Sequence, residues 1–337
     1  MELPDFNSVV EAAARLAGHA VRTPMLRHAG LDVRVARQVF LKPEMLQISG
    51  SFKFRGAYNR IAQLSAPQRA AGVIAWSSGN HAQGVAAAAA RLGVRARIVM
   101  PADAPRIKLE NTQALGGEVI TYDRRRESRE EIAFALAARE GGVIVPSFDD
   151  PHIIAGQGTT GLELLQDVAA LDAGLDALLI CCGGGGLTAG CALAAEGLSP
   201  DTDLFCVEPA HYDDHARSLS SGVSETANTD HDSICDALLA PRPGELTFAI
   251  NGPRLAGGLV VDEAQVMAAM RYAYRDLKLV VEPGGAVALA ALLADVLDPR
   301  YERVGIILSG GNVDPDRFAQ IILGEAAVAD QTHSRPR

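Results

Sequence analysis

Two kinds of apolar pattern alternate along the chain. Short runs of β-branched and aliphatic residues occupy 39–42, 73–76, 96–100, 118–122, 142–145, 177–181, 204–207 and 305–308. Between them lie alanine-rich stretches whose apolar residues recur at helical spacing, as over 81–92 and 128–139. Strand, helix and strand in this rhythm predict βαβ units and parallel sheets. The strand runs are apolar throughout instead of alternating, as sheets covered on both faces require. Residues 210–255 break the rhythm: they are polar, carry Pro241, Pro243 and Pro253, and predict a long surface excursion. The tail DQTHSRPR, from Asp330, predicts disorder.

A chain of 337 residues with 48% hydrophobic content can pack two lobes. The net charge of −10 argues against a nucleic-acid partner, which needs clustered Lys and Arg. The absence of an unbroken run of 18 apolar residues argues against a membrane span. The N-terminus MELPDFNSVVEAAARL has early acids and no apolar signal core, so a cytoplasmic protein is expected. The cysteines Cys181, Cys182, Cys191, Cys206 and Cys235 are odd in number and show no C-x-x-C spacing. Buried free thiols in a reducing compartment are expected, and a zinc site is not.

Candidate chemistry lies in loops that follow strands and open helices, where open α/β sheets bind ligands. Gly183, Gly184, Gly185 and Gly186 precede Leu187 and Thr188 at a helix start, which suits a phosphate held by bare N–H groups and the helix dipole. The spacing is neither G-x-x-x-x-G-K-[ST] nor G-x-G-x-x-G. The turn Ser77-Ser78-Gly79-Asn80-His81 fits a carboxylate or a phosphate, or a plain helix cap. Ser309-Gly310-Gly311-Asn312 is equally open.

Only four lysines occur, Lys42, Lys53, Lys108 and Lys278, so a cation here is ordinarily Arg. Lys53 stands between Phe52 and Phe54 at the start of an amphipathic run through Ala57, Ile61 and Leu64. Partial desolvation there lowers an ammonium's pKa and makes a Schiff-base nucleophile. A lysine snorkelling from a helix start fits the same residues. Glu208 at a strand end, with Asp213 and Asp214 after it, suits either a hard cation or a solvated acidic loop. Arg124, Arg125 and Arg126 read as a solvated turn.

The lysine between aromatics, the Ser-Ser-Gly-Asn-His turn, the tetraglycine loop and the late Ser-Gly-Gly-Asn occur in that order. Ile154-Ala155-Gly156-Gln157-Gly158-Thr159 and Val281-Glu282-Pro283-Gly284-Gly285 accompany them. This set resembles the fold-type II pyridoxal phosphate enzymes, in particular the threonine/serine dehydratase and serine racemase group, from Arg22 through Asn312. The resemblance implies a two-lobed, tryptophan synthase beta-like α/β fold with the cofactor between parallel sheets flanked by helices. It implies a large cofactor-binding domain from 1–69 and 149–330, a small mobile domain at 70–148, and a tail at 331–337.

By the same resemblance Lys53 carries pyridoxal 5'-phosphate as a Schiff base and serves as the base. Phe52 packs beside the ring, Asn80 bonds its hydroxyl, and Gly183, Gly184, Gly185, Gly186 and Leu187 hold the phosphate. Ser309 faces the ring nitrogen, a neutral partner that favours elimination over transamination. Ser77, Ser78, Gly79, Asn80 and His81 receive the substrate carboxylate, with Ser78 as a second base on the opposite face. Arg129 reads a second carboxylate, and Glu208, Asp214 and the main-chain carbonyl of Tyr212 hold Mg or another divalent cation. The apolar 237–240 stretch and Pro241-Arg242-Pro243 depart from the racemase pattern and imply a roomier side-chain pocket. The expectation is a homodimeric ammonia-lyase (dehydratase) turning a β-hydroxy amino acid of threonine or serine type into a 2-oxo acid and ammonia. Alternatives are a serine-type racemase, a dehydratase specific for 3-hydroxyaspartate or an aromatic 3-hydroxy amino acid, and a ligand-binding pseudoenzyme.

Overall fold

The computed structural model describes residues 3–104 and 106–324, so the predicted tail lies outside the described residues. The strands are β1 (Gln38–Pro43), β2 (Val73–Trp76), β3 (Ala96–Pro101), β4 (Gly117–Tyr122), β5 (Val143–Ile144), β6 (Ala177–Cys181), β7 (Asp203–Pro209), β8 (Gly257–Val261) and β9 (Arg303–Leu308). They form a five-stranded sheet in the order β1-β9-β6-β7-β8 and a four-stranded sheet in the order β4-β3-β2-β5. Every strand pair is parallel. The parallel arrangement explains the unbroken apolar runs, because helices cover both faces. On the larger sheet, the Pro283–Leu293 helix buries one face. The Pro151–Ala169 and Gly186–Leu198 helices bury the other.

All strands of the smaller sheet fall within 73–144. Its core also takes in Phe54, Ala57, Tyr58 and Ile61 of the Lys53–Ala62 helix. That helix packs against the larger unit on its other side, where a Cβ on Gly156 would lie 2.6 Å from the Arg55 carbonyl oxygen. The lysine helix is therefore wedged between the two sheets.

One sequence expectation changes, and one strand is new. Residues 210–255 are a surface excursion only in their middle, where 219–234 contain no buried residue; the flanks hold the Asp214–Ser221 and Glu245–Asn251 helices and bury Asp214, His215, Cys235, Thr247 and Asn251. Helices of 8 and 7 residues are too short to show a period, and their buried residues are polar apart from Ile250. Strand β8 escaped notice because Gly257 and Gly258 open it at the sheet edge. Arg124, Arg125 and Arg126 do form an exposed turn, and all five cysteines are buried and free.

Candidate active site

The strap ahead of the lysine is stitched to the loop that follows β9. Phe52 N–H donates to the Ser309 carbonyl at 3.1 Å, and Gly311 N–H donates to the Gly50 carbonyl at 3.0 Å. Ser51 and Gly310 form an isolated antiparallel bridge. The helix is fixed next by Arg55, which is fully buried. Its guanidinium meets Glu44 at 2.7 Å and 2.8 Å and Glu163 at 2.8 Å and 2.9 Å. Glu163 in turn accepts from Lys42 at 2.7 Å. A buried network of this kind fixes geometry more surely than it adds stability. On the third side, a Cβ on Gly84 would sit 2.9 Å from the carbonyl carbon of Lys53, so the Asn80–Arg91 helix lies directly on the lysine backbone.

Lys53 Nζ donates to the Ser147 carbonyl at 2.8 Å and lies 5.1 Å from the centre of the Phe52 ring. Burial pulls its pKa down to about 8, against the opposing pull of the Glu282 carboxyl. A substantial fraction of the amine is thereby neutral near physiological pH, as a base or nucleophile needs.

The amine opens onto a cleft of about 520 Å³ at the carboxyl ends of strands from both sheets. Phe52, the Ser77 to His81 turn, Arg129, the four glycines, Leu187 and Ser309 all line it. The glycine loop is a cradle without side chains. Gly185 has φ +90°, and a Cβ there would lie 2.5 Å from His215 Nε2, while one on Gly184 would enter the Phe148 ring. Thr247 Oγ1 donates to the Gly184 carbonyl at 2.7 Å. Asp149 caps Leu246 and Thr247 from behind. The Gly186–Leu198 helix begins at the loop and presents unpaired N–H groups to it. The buried Thr188 Oγ1 and Gln157 Oε1 beside it have no partner among the described residues.

Across the cleft, Asn80 Nδ2 donates to Glu282 at 2.6 Å, and Asn312 Nδ2 donates to Asn80 Oδ1 at 2.8 Å. Burial pushes the Glu282 carboxyl up to about 8. In the sequence Glu282 is one residue of the Val281–Gly285 motif; the fold makes it a buried acid next to Asn80. The His81 ring donates from Nε2 to the Val145 carbonyl at 2.9 Å, and burial pushes its pKa down to about 3. His81 thus stays neutral, and the turn offers ligands backbone amides and serine hydroxyls. Arg129, half-exposed at the rim, pairs with Glu130 at 2.9 Å. Lys108 pairs with Asp236 at 2.7 Å. Ala237, Leu238, Leu239 and Ala240 form an apolar stretch of wall.

Glu208, Tyr212 and Asp214 do not line the cleft. The two acids are buried behind the glycine loop, at the end of β7 and the start of the Asp214–Ser221 helix. Glu208 accepts His215 N–H at 3.1 Å and Ala216 N–H at 2.8 Å. Asp214 Oδ2 has no partner among the described residues. Burial raises Glu208 well above the carboxylate range and Asp214 to about 7. The Tyr212 hydroxyl donates to the His231 carbonyl at 3.0 Å.

Residues 16–310 match the family described as "Pyridoxal-phosphate dependent enzyme". The chain belongs to this family. It is 44% identical over 324 residues to an L-threo-3-hydroxyaspartate ammonia-lyase from a Pseudomonas species, covering 96% of this chain and 100% of the relative. It is 40% identical to a serine racemase of Schizosaccharomyces pombe, with 95% and 98% covered. The solved structure of maize serine racemase superimposes with a TM-score of 0.89 at 37% identity, covering 96% of this chain and 98% of the other. The buried amine, the side-chain-free cradle and the unpaired polar atoms beside it fit the family's cofactor.

Proposed function

We propose that the protein is a pyridoxal phosphate-dependent ammonia-lyase that converts a β-hydroxy amino acid of the threonine or serine type to a 2-oxo acid and ammonia, with 3-hydroxyaspartate its best substrate. The observation that carries the proposal is Lys53: a buried amine with a pKa near 8, bonded to one carbonyl and sharing a cleft with the glycine loop. When bound, pyridoxal phosphate supplies the electron sink that acidifies the substrate's Cα–H. The chain's residues do the rest. The glycine loop and the Gly186–Leu198 helix start hold the phosphate, with Phe52, Asn80 and Ser309 around the ring. Backbone amides of the Ser77 to His81 turn bind the α-carboxylate. Lys53 Nζ takes the Cα proton as the β-hydroxyl departs; the water lost is regained in hydrolysis to the 2-oxo acid and ammonia. Arg129, on the cleft rim, pairs with a second carboxylate, which is the reason for preferring 3-hydroxyaspartate.

Ser78 also lines the cleft and supports a second reading, racemisation with Ser78 as the other base. We further propose a divalent cation held by Glu208, Asp214 and the Tyr212 main-chain carbonyl. The unpartnered, buried Asp214 Oδ2 supports that assignment.

The test is 2-oxo acid release from both enantiomers of serine and threonine, from 3-hydroxyaspartate and from 3-phenylserine. Fastest release from 3-hydroxyaspartate is expected. No release from any, with the cofactor bound, overturns the lyase and makes racemisation the next assay.

A further inference from the structure

We infer that the buried cluster of Cys182, Glu208, Asp214 and His215 is a site for a borderline-soft divalent transition ion of the Zn²⁺ type. The inference rests on the cation proposed above and changes its ligands and its chemistry. No C-x-x-C spacing announces such a site, because the donors come from three separate elements. Cys182 follows β6, Glu208 belongs to β7, and Asp214 and His215 open a helix. A sulfur, a carboxylate oxygen and a ring nitrogen of Cys182, Glu208 and His215 lie within 4.8 Å of one another. All three side chains are at most 1% exposed. His215 Nδ1 is 3.9 Å from Glu208 Oε1 and 3.9 Å from Asp214 Oδ2. Donors about 2.0–2.3 Å from a tetrahedral Zn²⁺ stand roughly 3.3–3.8 Å apart, so small side-chain shifts bring Cys182, Glu208 and His215 onto one ion; Asp214 lies outside that trio and approaches it from the His215 side.

The unpaired atoms point the same way. His215 Nδ1 and Asp214 Oδ2 have no partner among the described residues, and neither has Asn251 Oδ1. Asn251 presents its amide to His215 Nε2 at 3.3 Å. Turning that amide lets Oδ1 accept Nε2–H, which leaves the Nδ1 lone pair facing the carboxylates, as in metal-bound histidines. The turn exchanges the present Nδ2 contact to Nε2 for one from Nε2–H and gives up the long 3.4 Å contact to the Gly185 carbonyl. A hard Mg²⁺ site would use oxygen donors and water; thiol and imidazole select for transition ions.

The experiment uses the full chain with its cofactor, stripped by chelator and dialysed against equimolar Mg²⁺, Ca²⁺, Mn²⁺ and Zn²⁺. The expected result is one equivalent of Zn²⁺ per chain. Replacement by Co²⁺ gives a sulfur-to-cobalt charge-transfer band. Cys182→Ala and His215→Asn each weaken Zn²⁺ binding by more than about 10-fold, the least that even an outer partner is worth. His231→Ala, at the surface stack of His211 and His231, leaves the stoichiometry unchanged. Retention of Mg²⁺ or Ca²⁺ instead, or a Co²⁺ form without the sulfur band, overturns the inference while sparing the cation proposal. No bound metal overturns both. Zn²⁺ lost with His231→Ala marks a surface ion and overturns the inference. Cofactor absorbance, read on the same samples, tests the lyase proposal separately.

Discussion

Lys53 Nζ donates to the main-chain oxygen of Ser147 at 2.8 Å, joining the start of the lysine helix to the segment after β5. This bond aims the amine along the cleft and leaves it a single neutral acceptor in place of the carboxylate that would hold it as an ammonium. Its pKa near 8 follows from burial, which outweighs the opposing pull of the Glu282 carboxyl. Lys53→Ala should lower kcat for 2-oxo acid release by at least about 10²-fold, the low end for a lost general base. The thermal midpoint should not fall, because the variant no longer buries an amine.

Arg55 is a separate matter of stability. Replacing it by Leu leaves Glu44 and Glu163 facing one another without their shared cation. An uncompensated buried charge costs roughly 3–5 kcal/mol, and the urea midpoint should fall accordingly. Glu163 is also paired with Lys42 and Glu44 is not, so Glu44→Gln in the Arg55→Leu background should recover part of the loss.

Gly184→Ala should weaken cofactor binding, since the new methyl would enter the Phe148 ring. Overpacking costs about 1–3 kcal/mol, or roughly 5- to 150-fold in affinity. Cofactor absorbance after dialysis measures it. Gly79→Ala, with no atom within 4 Å of its Cβ, should retain the cofactor.

Arg129→Gln should lower kcat/KM for 3-hydroxyaspartate by about 10- to 100-fold, the worth of one hydrogen bond to a charged group. The value for serine should stay nearly unchanged. An equal loss on both substrates would remove Arg129 from side-chain recognition.

Metal removal should expose a pH dependence at Asp214. Its folded pKa of about 7 lies above the ordinary 3.8. Between these values the unfolded chain has released a proton that the folded chain still holds. Stability is therefore fully present below about 4 and is lost as pH rises towards 7. Glu282, raised from 4.5 to about 8, adds a slope of the same sign. His81, lowered from 6.5 to about 3, opposes both between those values. The informative quantity is thus the difference in thermal midpoint between the wild type and Asp214→Asn in chelator. It should move in the variant's favour from pH 4 to 7, and restoring the cation should move it back towards the wild type, which alone binds the ion.

The elements and the main loops were legible before the fold was known. Run 177–181 is β6 residue for residue, and 73–76 is β2. Strand and helix periods are local, and a parallel sheet shows itself in strands that are apolar on both faces. The glycine loop could likewise be read, because backbone approach to a ligand demands missing side chains over a few consecutive positions. The motif order from Lys53 to Ser309 carried the family. What the sequence did not reveal depends on residues far apart in the chain. Asn80 and Glu282 are separated by 202 positions and Lys53 and Ser147 by 94. Desolvation of an acid or amine is set by whatever closes over it, and no window of neighbours contains that information. The burial of His215 and Cys182 against Glu208 is of the same kind: three strand ends and helix starts converge only when the five-stranded sheet is assembled. Local sequence determined which elements form and which loops can approach a ligand, while tertiary structure decided which ionisable groups are stripped of water and set facing one another.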